Sequence, residues 1–245
     1  MTAREQATAS TTVYVALGDS ISIDEYAGGP GRGGASLLAC NLDDDFPGWR
    51  GRDLASSADT RFHLLASDGA TCRTVLDHQL PRLAALGLTP TVVTLTVGGN
   101  DLLGAYGHTP SAQAVVAHVA AAVHQTLEAL RRLVAAGGRI VVGTVYDPSD
   151  GTGDATRLGL PPWPEGVEVL GQLNSALVTA AADHDALVAD IHQRFLGHGV
   201  LAGDPGQPSA RPPERALWYC NLIEPNAWGA SQVRAAFWQA LHHVL

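Results

Sequence analysis

The sequence predicts an α/β protein in which a parallel β-sheet carries helices on both faces. Short apolar segments rich in β-branched residues alternate along the 245-residue chain with longer segments of helical spacing. This alternation is typical of parallel sheets, because strands joined by helical crossovers run in the same direction. The chain contains no linker and no internal repeat. Residues 12–245 are therefore predicted to form one domain that follows a flexible segment, residues 1–11.

Five strands are predicted from apolar runs of strand length. They are VYVAL (Val13–Leu17), RFHLLA (Arg61–Ala66), TVVTLTV (Thr91–Val97), RIVVGTVY (Arg139–Tyr146) and ALVADI (Ala186–Ile191). The third run is almost entirely apolar, as expected of a strand that is covered on both faces. Ligands of open parallel sheets bind at the carboxyl ends of the strands. Residues that directly follow these strands are therefore the first candidates for a site.

Four helices are predicted from apolar residues at helical spacing. They span Cys72–Leu86, Ser111–Ala136, Glu168–His184 and Ala227–Leu245. Pro81 is unfavourable inside the first helix because proline has no N–H to donate. Asn226 is the predicted N-cap of the last helix. Two segments break the alternation: Asp24–Asp53 is rich in glycine and charge, and Gly203–Pro213 contains four prolines.

Composition excludes several classes of function. The net charge is −9 and no basic run is longer than two residues, so a nucleic-acid partner is not expected. The N-terminus has no apolar core and no window of about 20 apolar residues occurs, which predicts a cytoplasmic protein without a membrane partner. Three cysteines without a C-x-x-C motif argue against a disulfide framework or a zinc site, and predict buried, reduced thiols. We expect no metal and no cofactor.

Three short motifs follow the first three predicted strands. ALGDSIS places Ser20 after the first strand, SDGAT places Gly69 after the second, and TVGGNDLL places Asn100 after the third. Each motif alone is typical of an ordinary turn. Together they favour a nucleophilic serine with a three-donor oxyanion hole, formed by the Ser20 N–H, the Gly69 N–H and the Asn100 side-chain amide.

These motifs, followed near the C-terminus by IEPNAWG, resemble the SGNH (GDSL-type) hydrolase family over Val13–Leu245. The resemblance implies a flavodoxin-like three-layer α/β/α sandwich with a five-stranded parallel sheet. It also implies an esterase, lipase, carbohydrate-ester deacetylase or acyltransferase that acts on a small-molecule ester or acyl substrate. By the same resemblance, Ser20 is the nucleophile, and Gly69 and Asn100 are oxyanion donors.

The last motif of the family departs from its usual form in this chain. The family has D-x-x-H followed by P-N-x-x-G, whereas Asn221 and Glu224 stand here at the two catalytic positions; Pro225, Asn226 and Gly229 still match. A carboxylate base needs its pKa raised from about 4.3 towards neutrality, and burial can raise it. An amide at position 221 can donate to Glu224, and Asn221 is also a candidate substrate-binding residue.

Other residues are open to two interpretations. His192 and His198 follow the fifth predicted strand and are either alternative bases or structural histidines. Asp19, Asp24 and Arg32 are candidate substrate-binding residues: Asp24 can bind a cationic group, although a solvated loop explains it equally well, and Arg32 can bind an anion. The glycine-rich segment around Arg32 lacks the G-K-[ST] and G-x-G-x-x-G patterns of phosphate-binding loops.

Four aromatic residues in or beside loops either line an apolar pocket or pack in the core: Trp49, Trp163, Trp218 and Tyr219. Three functions remain open at this point. The first is a serine-dependent hydrolase or acyltransferase with Glu224 as base. The second is a lyase, isomerase or cyclase that uses Glu224 for proton transfer, and the third is a binding protein without catalytic activity.

Overall fold

The computed structural model describes residues 11–206 and 215–242, and contains a five-stranded parallel sheet of order β2-β1-β3-β4-β5. The strands are β1 (Thr11–Gly18), β2 (Asp59–Leu64), β3 (Val92–Thr96), β4 (Arg139–Gly143) and β5 (Leu187–Ala189). In the register of the sheet, Tyr14 of β1 lies between Phe62 and Val92. The predicted parallel sheet is confirmed. The predicted flexible segment 1–11 lies outside the described residues except for Thr11, which begins β1.

Helices cover both faces of the sheet and complete a three-layer α/β/α sandwich. They are α1 (Gly34–Ala39), α2 (Cys72–Thr74), α3 (Leu80–Ala85), α4 (Gly99–Leu103), α5 (Thr109–Leu133), α6 (Gly166–Asp183), α7 (Ile191–Phe195) and α8 (Ala227–His242). Side chains of a strand point alternately to its two faces. Accordingly, Val15 and Leu17 pack in the core under α5 and α6, whereas Tyr14 and Ala16 pack in the core under α1 and α8.

The predicted helix Cys72–Leu86 is interrupted by a wider helical turn. Val75–Gln79 forms a π-helical segment between α2 and α3, and Pro81 stands in the first turn of α3. Proline is tolerated there because the first N–H groups of a helix have no intrahelical acceptor. The π-helical turn therefore places Pro81 at the start of α3, where its missing N–H costs no hydrogen bond.

The fourth and fifth strands are each three residues shorter than predicted. β4 ends at Gly143 instead of Tyr146, and β5 covers only Leu187–Ala189. The Asp190 carboxylate accepts the N–H of Gln193 at 3.0 Å, and this cap starts α7 directly after β5. The N-cap at Asp190 therefore starts a helix where the apolar pattern alone predicts that the strand continues.

A two-stranded antiparallel ribbon precedes α8. It pairs β6 (Tyr219–Cys220) with β7 (Glu224–Pro225), and places Cys220 opposite Glu224. Asn226 caps α8 as predicted, since its Oδ1 accepts the N–H groups of Trp228 and Gly229 at 3.0 Å each. Its Nδ2 also donates to the Leu217 carbonyl at 2.8 Å. The ribbon is thereby fixed to the start of the helix.

The three cysteines are free thiols. Cys72 is buried as predicted, but Cys40 is exposed and Cys220 is half-buried, so the expectation of buried thiols is wrong for Cys40. The reason is its position, since Cys40 ends the short helix α1 and enters a loop. None of the helices within the described ranges is long and apolar enough to cross a membrane.

Candidate active site

Ser20 lies two residues after β1, at the carboxyl edge of the sheet, and is buried. The chain leaves β1 through Gly18, whose φ is +118° and where an added Cβ would stand 1.8 Å from the Thr96 carbonyl oxygen. Only glycine fits this close approach of β1 to β3. Gly18 therefore fixes the point at which Ser20 emerges from the sheet.

A buried glutamine holds the end of β1 in place. Gln79, in the π-helical turn, accepts the Gly18 N–H at 2.7 Å and donates to the Gly18 carbonyl at 2.8 Å. π-helical turns are frequent at functional sites. The sequence analysis missed Gln79, because 61 residues separate it from Gly18 and its side chain belongs to no local motif.

The carboxyl group of Glu224 lies beside the Ser20 side chain. Glu224 stands in β7 and is half-buried, and its Oε2 atom has no hydrogen-bond partner among the described residues. Burial raises the pKa of Glu224 above its ordinary value, and the nearby charge of Asp68 adds to the increase. The Ser20 side chain acts in the opposite direction and lowers this pKa. The result is a carboxyl with a raised pKa beside the serine.

Asp19 is a second carboxyl with a perturbed pKa at this site. Its side chain is 2% exposed, and burial raises its pKa from 3.8 to about 7. The interaction with the Thr96 side chain and the hydrogen bond from the Ile21 N–H oppose the shift, whereas the charge of Glu224 adds to it. A large fraction of Asp19 is therefore protonated near neutral pH.

Three hydrogen-bond donors at the strand ends can serve a developing oxyanion. The N–H groups of Ser20 and Gly69 donate to no acceptor within residues 11–206 and 215–242. The Asn100 Nδ2 donates one hydrogen to the Ala70 carbonyl at 3.0 Å, which fixes the amide and leaves its second hydrogen uncommitted. These are the donors that the sequence motifs predict.

Ser20 and Asn100 line a pocket that holds about 800 Å³ of empty space, including its opening to solvent. Apolar side chains form most of its remaining wall: Ile21, Leu102, Leu103, Val145, Leu160, Val167, Leu170 and Ile223. Trp163 also lines the pocket, whereas Trp218 and Tyr219 pack in the core under α8 and Trp49 packs against Arg234. Of the aromatic residues singled out in the sequence, Trp163 therefore lines the pocket, whereas Trp218 and Tyr219 pack in the core.

Two of the predicted substrate-binding residues organise a loop. The Asp24 carboxylate accepts the N–H groups of Gly31 at 2.9 Å and Gly33 at 2.7 Å, and Arg32 forms an ion pair with Asp45 at 2.7 Å. Neither Asp24 nor Arg32 lines the pocket beside Ser20. These contacts account for both residues without a substrate.

Asn221 occupies the tight turn between β6 and β7. It is exposed with a φ of +44°, a conformation that asparagine tolerates better than most residues, and no hydrogen bond joins it to Glu224 within the described residues. The amide-to-carboxylate contact expected from the sequence is therefore not formed. The conformation of the turn explains why asparagine fits this position.

The two candidate histidines have other contacts. The His192 Nδ1 pairs with the Val145 carbonyl at 3.2 Å. His198 is buried, its ring stacks on Trp218 with 3.3 Å between ring centroids, and its Nδ1 pairs with the Ala216 carbonyl at 2.9 Å. These contacts favour the structural interpretation of both histidines. No group of three or more His, Cys, Asp or Glu side chains is arranged to hold a metal ion in the part of the chain that the structure describes.

Tyr26 is a further residue beside Glu224 that the sequence analysis missed. Burial, the interaction of its hydroxyl with Asp68 and the charge of Glu224 raise its pKa to about 12. Tyr146 lies nearby and donates to the Ile223 carbonyl at 2.7 Å, directly before Glu224. No local motif marks either tyrosine.

Comparison with known proteins gives a consistent classification. The acetylxylan esterase Axe2 from Geobacillus stearothermophilus has a similar fold, with a TM-score of 0.64, 16% identity and 94% coverage of each chain. So does an extracellular lipase from Streptomyces rimosus, with a TM-score of 0.59, 22% identity and coverage of 94% of this chain and 99% of the lipase. Catalytic mutants of Axe2 replace a serine, an aspartate or a histidine by alanine.

No curated protein matches the sequence. The model of the GDSL-like lipase/acylhydrolase family matches residues 16–230, which include Ser20, Gly69, Asn100 and Glu224. The fold, the order of the motifs and this match agree with one another. The chain belongs to the GDSL-like lipase/acylhydrolase family.

Proposed function

We propose that the protein is a serine esterase that acts on a small-molecule ester, with Ser20 as nucleophile and Glu224 as its general base. The observation that carries the proposal is the position of a Glu224 carboxyl of raised pKa beside the Ser20 side chain. The uncommitted donors of Ser20, Gly69 and Asn100 lie at the same edge of the sheet. A nucleophile, a base and an oxyanion hole are the parts that acyl transfer requires.

In the first half of the reaction, Ser20 Oγ attacks the acyl carbon while its proton passes to the Glu224 carboxylate. The carbonyl electron pair moves to oxygen, which accepts hydrogen bonds from the Ser20 and Gly69 N–H groups and the Asn100 amide. The intermediate then collapses, the bond from the acyl carbon to the leaving oxygen breaks, and Glu224 returns its proton to the departing alkoxide. An acyl-Ser20 ester remains.

In the second half, a water molecule attacks the acyl-Ser20 ester and gives its proton to Glu224. Collapse of this intermediate releases the carboxylic acid, and the proton returns from Glu224 to Ser20 Oγ. An alcohol that takes the place of water receives the acyl group instead, so the same residues support acyltransferase activity. The choice between the two depends on which nucleophile reaches the acyl-enzyme.

A glutamate base differs from a histidine base in its charge. A protonated glutamate is neutral and places no cation beside the oxyanion, whereas a protonated imidazole does. The raised pKa of Glu224 compensates in part, because a base titrating closer to neutral pH takes a proton more readily. Protonation of Asp19 helps as well, since it removes one negative charge from the vicinity of the oxyanion.

One observation favours a second candidate function. The Oε2 atom of Glu224 is buried and has no hydrogen-bond partner among the described residues. A carboxyl of raised pKa without a fixed partner for this oxygen can exchange a proton without forming a covalent intermediate. A lyase, isomerase or cyclase would use the site in this way, with Ser20 and Asn100 as hydrogen-bond donors.

Hydrolysis of p-nitrophenyl esters by the wild type and by Ser20→Ala tests the proposal. The matched control is Ser175→Ala, because Ser175 is exposed on α6 and its hydroxyl donates to the Gly171 carbonyl of the same helix. We expect hydrolysis by the wild type and the control, and a loss of at least about 1,000-fold in kcat/KM for Ser20→Ala.

Two results would overturn the proposal that the protein is a serine esterase. One is undiminished hydrolysis by Ser20→Ala, and the other is no hydrolysis of any ester by the folded wild type. Turnover that survives in Ser20→Ala but is lost in Glu224→Gln supports the proton-transfer function. A protein that turns over none of these esters and forms no covalent adduct at Ser20 is either a proton-transfer enzyme or a binding protein.

A further inference from the structure

The pocket beside Ser20 has polar side chains, but most of them are engaged by the protein itself. Tyr106 donates to the Pro161 carbonyl at 2.7 Å, and Trp163 Nε1 donates to the Thr109 hydroxyl at 3.1 Å. Tyr146 likewise donates to a backbone carbonyl. Each of these aromatic residues contributes its ring to the pocket and directs its polar atom to the protein.

The polar side chains of the loop that follows β4 also form hydrogen bonds with the protein itself. The two oxygens of Asp147 accept the N–H groups of Ser149 at 2.8 Å and Gly151 at 2.9 Å, and the Ser149 hydroxyl accepts the N–H of Gly153 at 3.0 Å. Free polar side chains of the pocket are thus confined to its reactive end. A sugar, which needs partners for its hydroxyl groups, fits such a wall poorly, whereas a hydrocarbon chain needs none.

Two aromatic side chains form the wall of the pocket that lies beside the start of α6. Tyr106 and Trp163 pack edge to face with 5.0 Å between ring centroids, and Trp163 is only 6% exposed. The hydrogen bonds to Pro161 and Thr109 hold both rings in place. The wall can therefore move only if these hydrogen bonds break. Gly166 adjoins the wall, since an added Cβ there would stand 2.5 Å from the Trp163 ring.

We propose that this pocket binds an apolar acyl chain longer than acetyl, and that the Tyr106–Trp163 wall limits the length of the chain. The inference rests on the proposed function, because the acyl carbon must lie at Ser20 while the chain extends along the apolar wall. Each buried methylene contributes about 0.8 kcal/mol, which corresponds to about a 4-fold increase in kcat/KM. The increase stops at the chain length that reaches the wall.

The test measures kcat/KM for p-nitrophenyl esters from acetyl to dodecanoyl, below their micellar concentrations. We expect the wild type to gain about 4-fold per methylene from acetyl up to a sharp limit. Trp163→Phe shortens the wall but keeps an aromatic ring, and it moves the limit to longer chains. Gly166→Ala displaces the Trp163 ring and moves the limit to shorter chains.

A control variant separates this role from general destabilisation. Trp238→Ala removes a partly buried tryptophan that packs in the core under α8, and it leaves the limit unchanged. Shifts of the limit in opposite directions for Trp163→Phe and Gly166→Ala support the wall. A wild type that prefers acetyl esters, or an unchanged limit in both variants, overturns it.

A binding experiment distinguishes failure of this inference from failure of the proposed function. We titrate neutral 2-alkanones of 4 to 12 carbons into Ser20→Ala and follow tryptophan fluorescence. Affinity that rises about 4-fold per methylene to the same limit supports the pocket even without esterase activity. Affinity that is independent of chain length overturns the inference, whether or not the wild type hydrolyses esters.

Discussion

The buried carboxyl of Asp19 makes a quantitative prediction about the stability of the fold. Its pKa is about 7 in the folded protein, against 3.8 for the unperturbed group. A carboxyl whose pKa is raised by folding binds its proton more tightly in the folded state. Its contribution to the unfolding free energy is therefore complete below pH 3.8, and is lost as the pH rises towards 7.

The size of this loss follows from the two pKa values of Asp19. The full shift corresponds to about 4 kcal/mol, and about 3 kcal/mol of it falls between pH 4.5 and pH 8. Asp19→Asn removes the titration but can retain the contact with the Ile21 N–H through its Oδ1 atom. Relative to the wild type, the variant is expected to gain about 3 kcal/mol of unfolding free energy between pH 4.5 and pH 8.

Urea denaturation of both proteins at the two pH values measures this difference. Asp59→Asn serves as the control, because Asp59 is an exposed residue at the start of β2. The comparison between proteins cancels the titration of all other groups that the substitution leaves unperturbed. An equal change in the unfolding free energy of wild type and Asp19→Asn would refute the reasoning, since Asp19 would then titrate as an ordinary surface carboxyl.

Three further predictions concern the residues around Ser20. Glu224→Gln should lower kcat/KM by about 100- to 10,000-fold in the ester assay, because it removes the base, and leave the unfolding free energy within about 1 kcal/mol of the wild type. Gln79→Leu leaves the buried N–H of Gly18 without an acceptor, whereas the Gly18 carbonyl keeps the Ser67 N–H as a donor, so the unfolding free energy in urea should fall by about 1–3 kcal/mol. It should also reduce kcat/KM by up to about 100-fold through displacement of Ser20. Asp68→Asn removes a charge that raises the pKa of Glu224, so the acid limb of the pH–kcat/KM profile should move to lower pH.

Each of these variants has a matched control elsewhere on the surface. Glu128→Gln removes an exposed glutamate on α5, Gln172→Leu replaces an exposed glutamine on α6, and Asp77→Asn removes an exposed carboxylate. The controls should leave activity and its pH dependence unchanged. Full activity of Glu224→Gln contradicts the role of base, unchanged stability of Gln79→Leu contradicts the clamp on β1, and an acid limb that moves to higher pH contradicts the effect of Asp68.

The strands of the sheet were predictable because each one is marked by its own run of apolar residues. The run Thr91–Val97 is β-branched and apolar, and the structure forms β3 within it. Conversely, the predicted helix Cys72–Leu86 is interrupted by a π-helical turn whose inner residue Gln79 reaches Gly18. A pattern of apolar residues indicates which face of a helix or strand is buried. It does not indicate a hydrogen bond between a side chain and a backbone group 61 residues away.

The candidate site was predictable to the extent that its residues lie in short motifs after strands. Ser20, Gly69 and Asn100 belong to such motifs, and Glu224 is marked by the pattern that follows it. The apolar pocket was not predictable, because its wall combines α4, the loop before α6 and the turn before β7. Trp163 shows the difference, since its sequence neighbours do not indicate whether it lines a pocket or fills the core.

The central claim is that Glu224 activates Ser20 as a nucleophile. A fluorophosphonate reacts with an activated serine and needs no knowledge of the natural substrate. Mass spectrometry of the labelled protein should find the adduct on Ser20, at a rate that rises with pH through the titration of Glu224. The rate should fall at least about 100-fold in Glu224→Gln. Absence of an adduct on Ser20, or equal labelling rates in the wild type and Glu224→Gln, would contradict the claim.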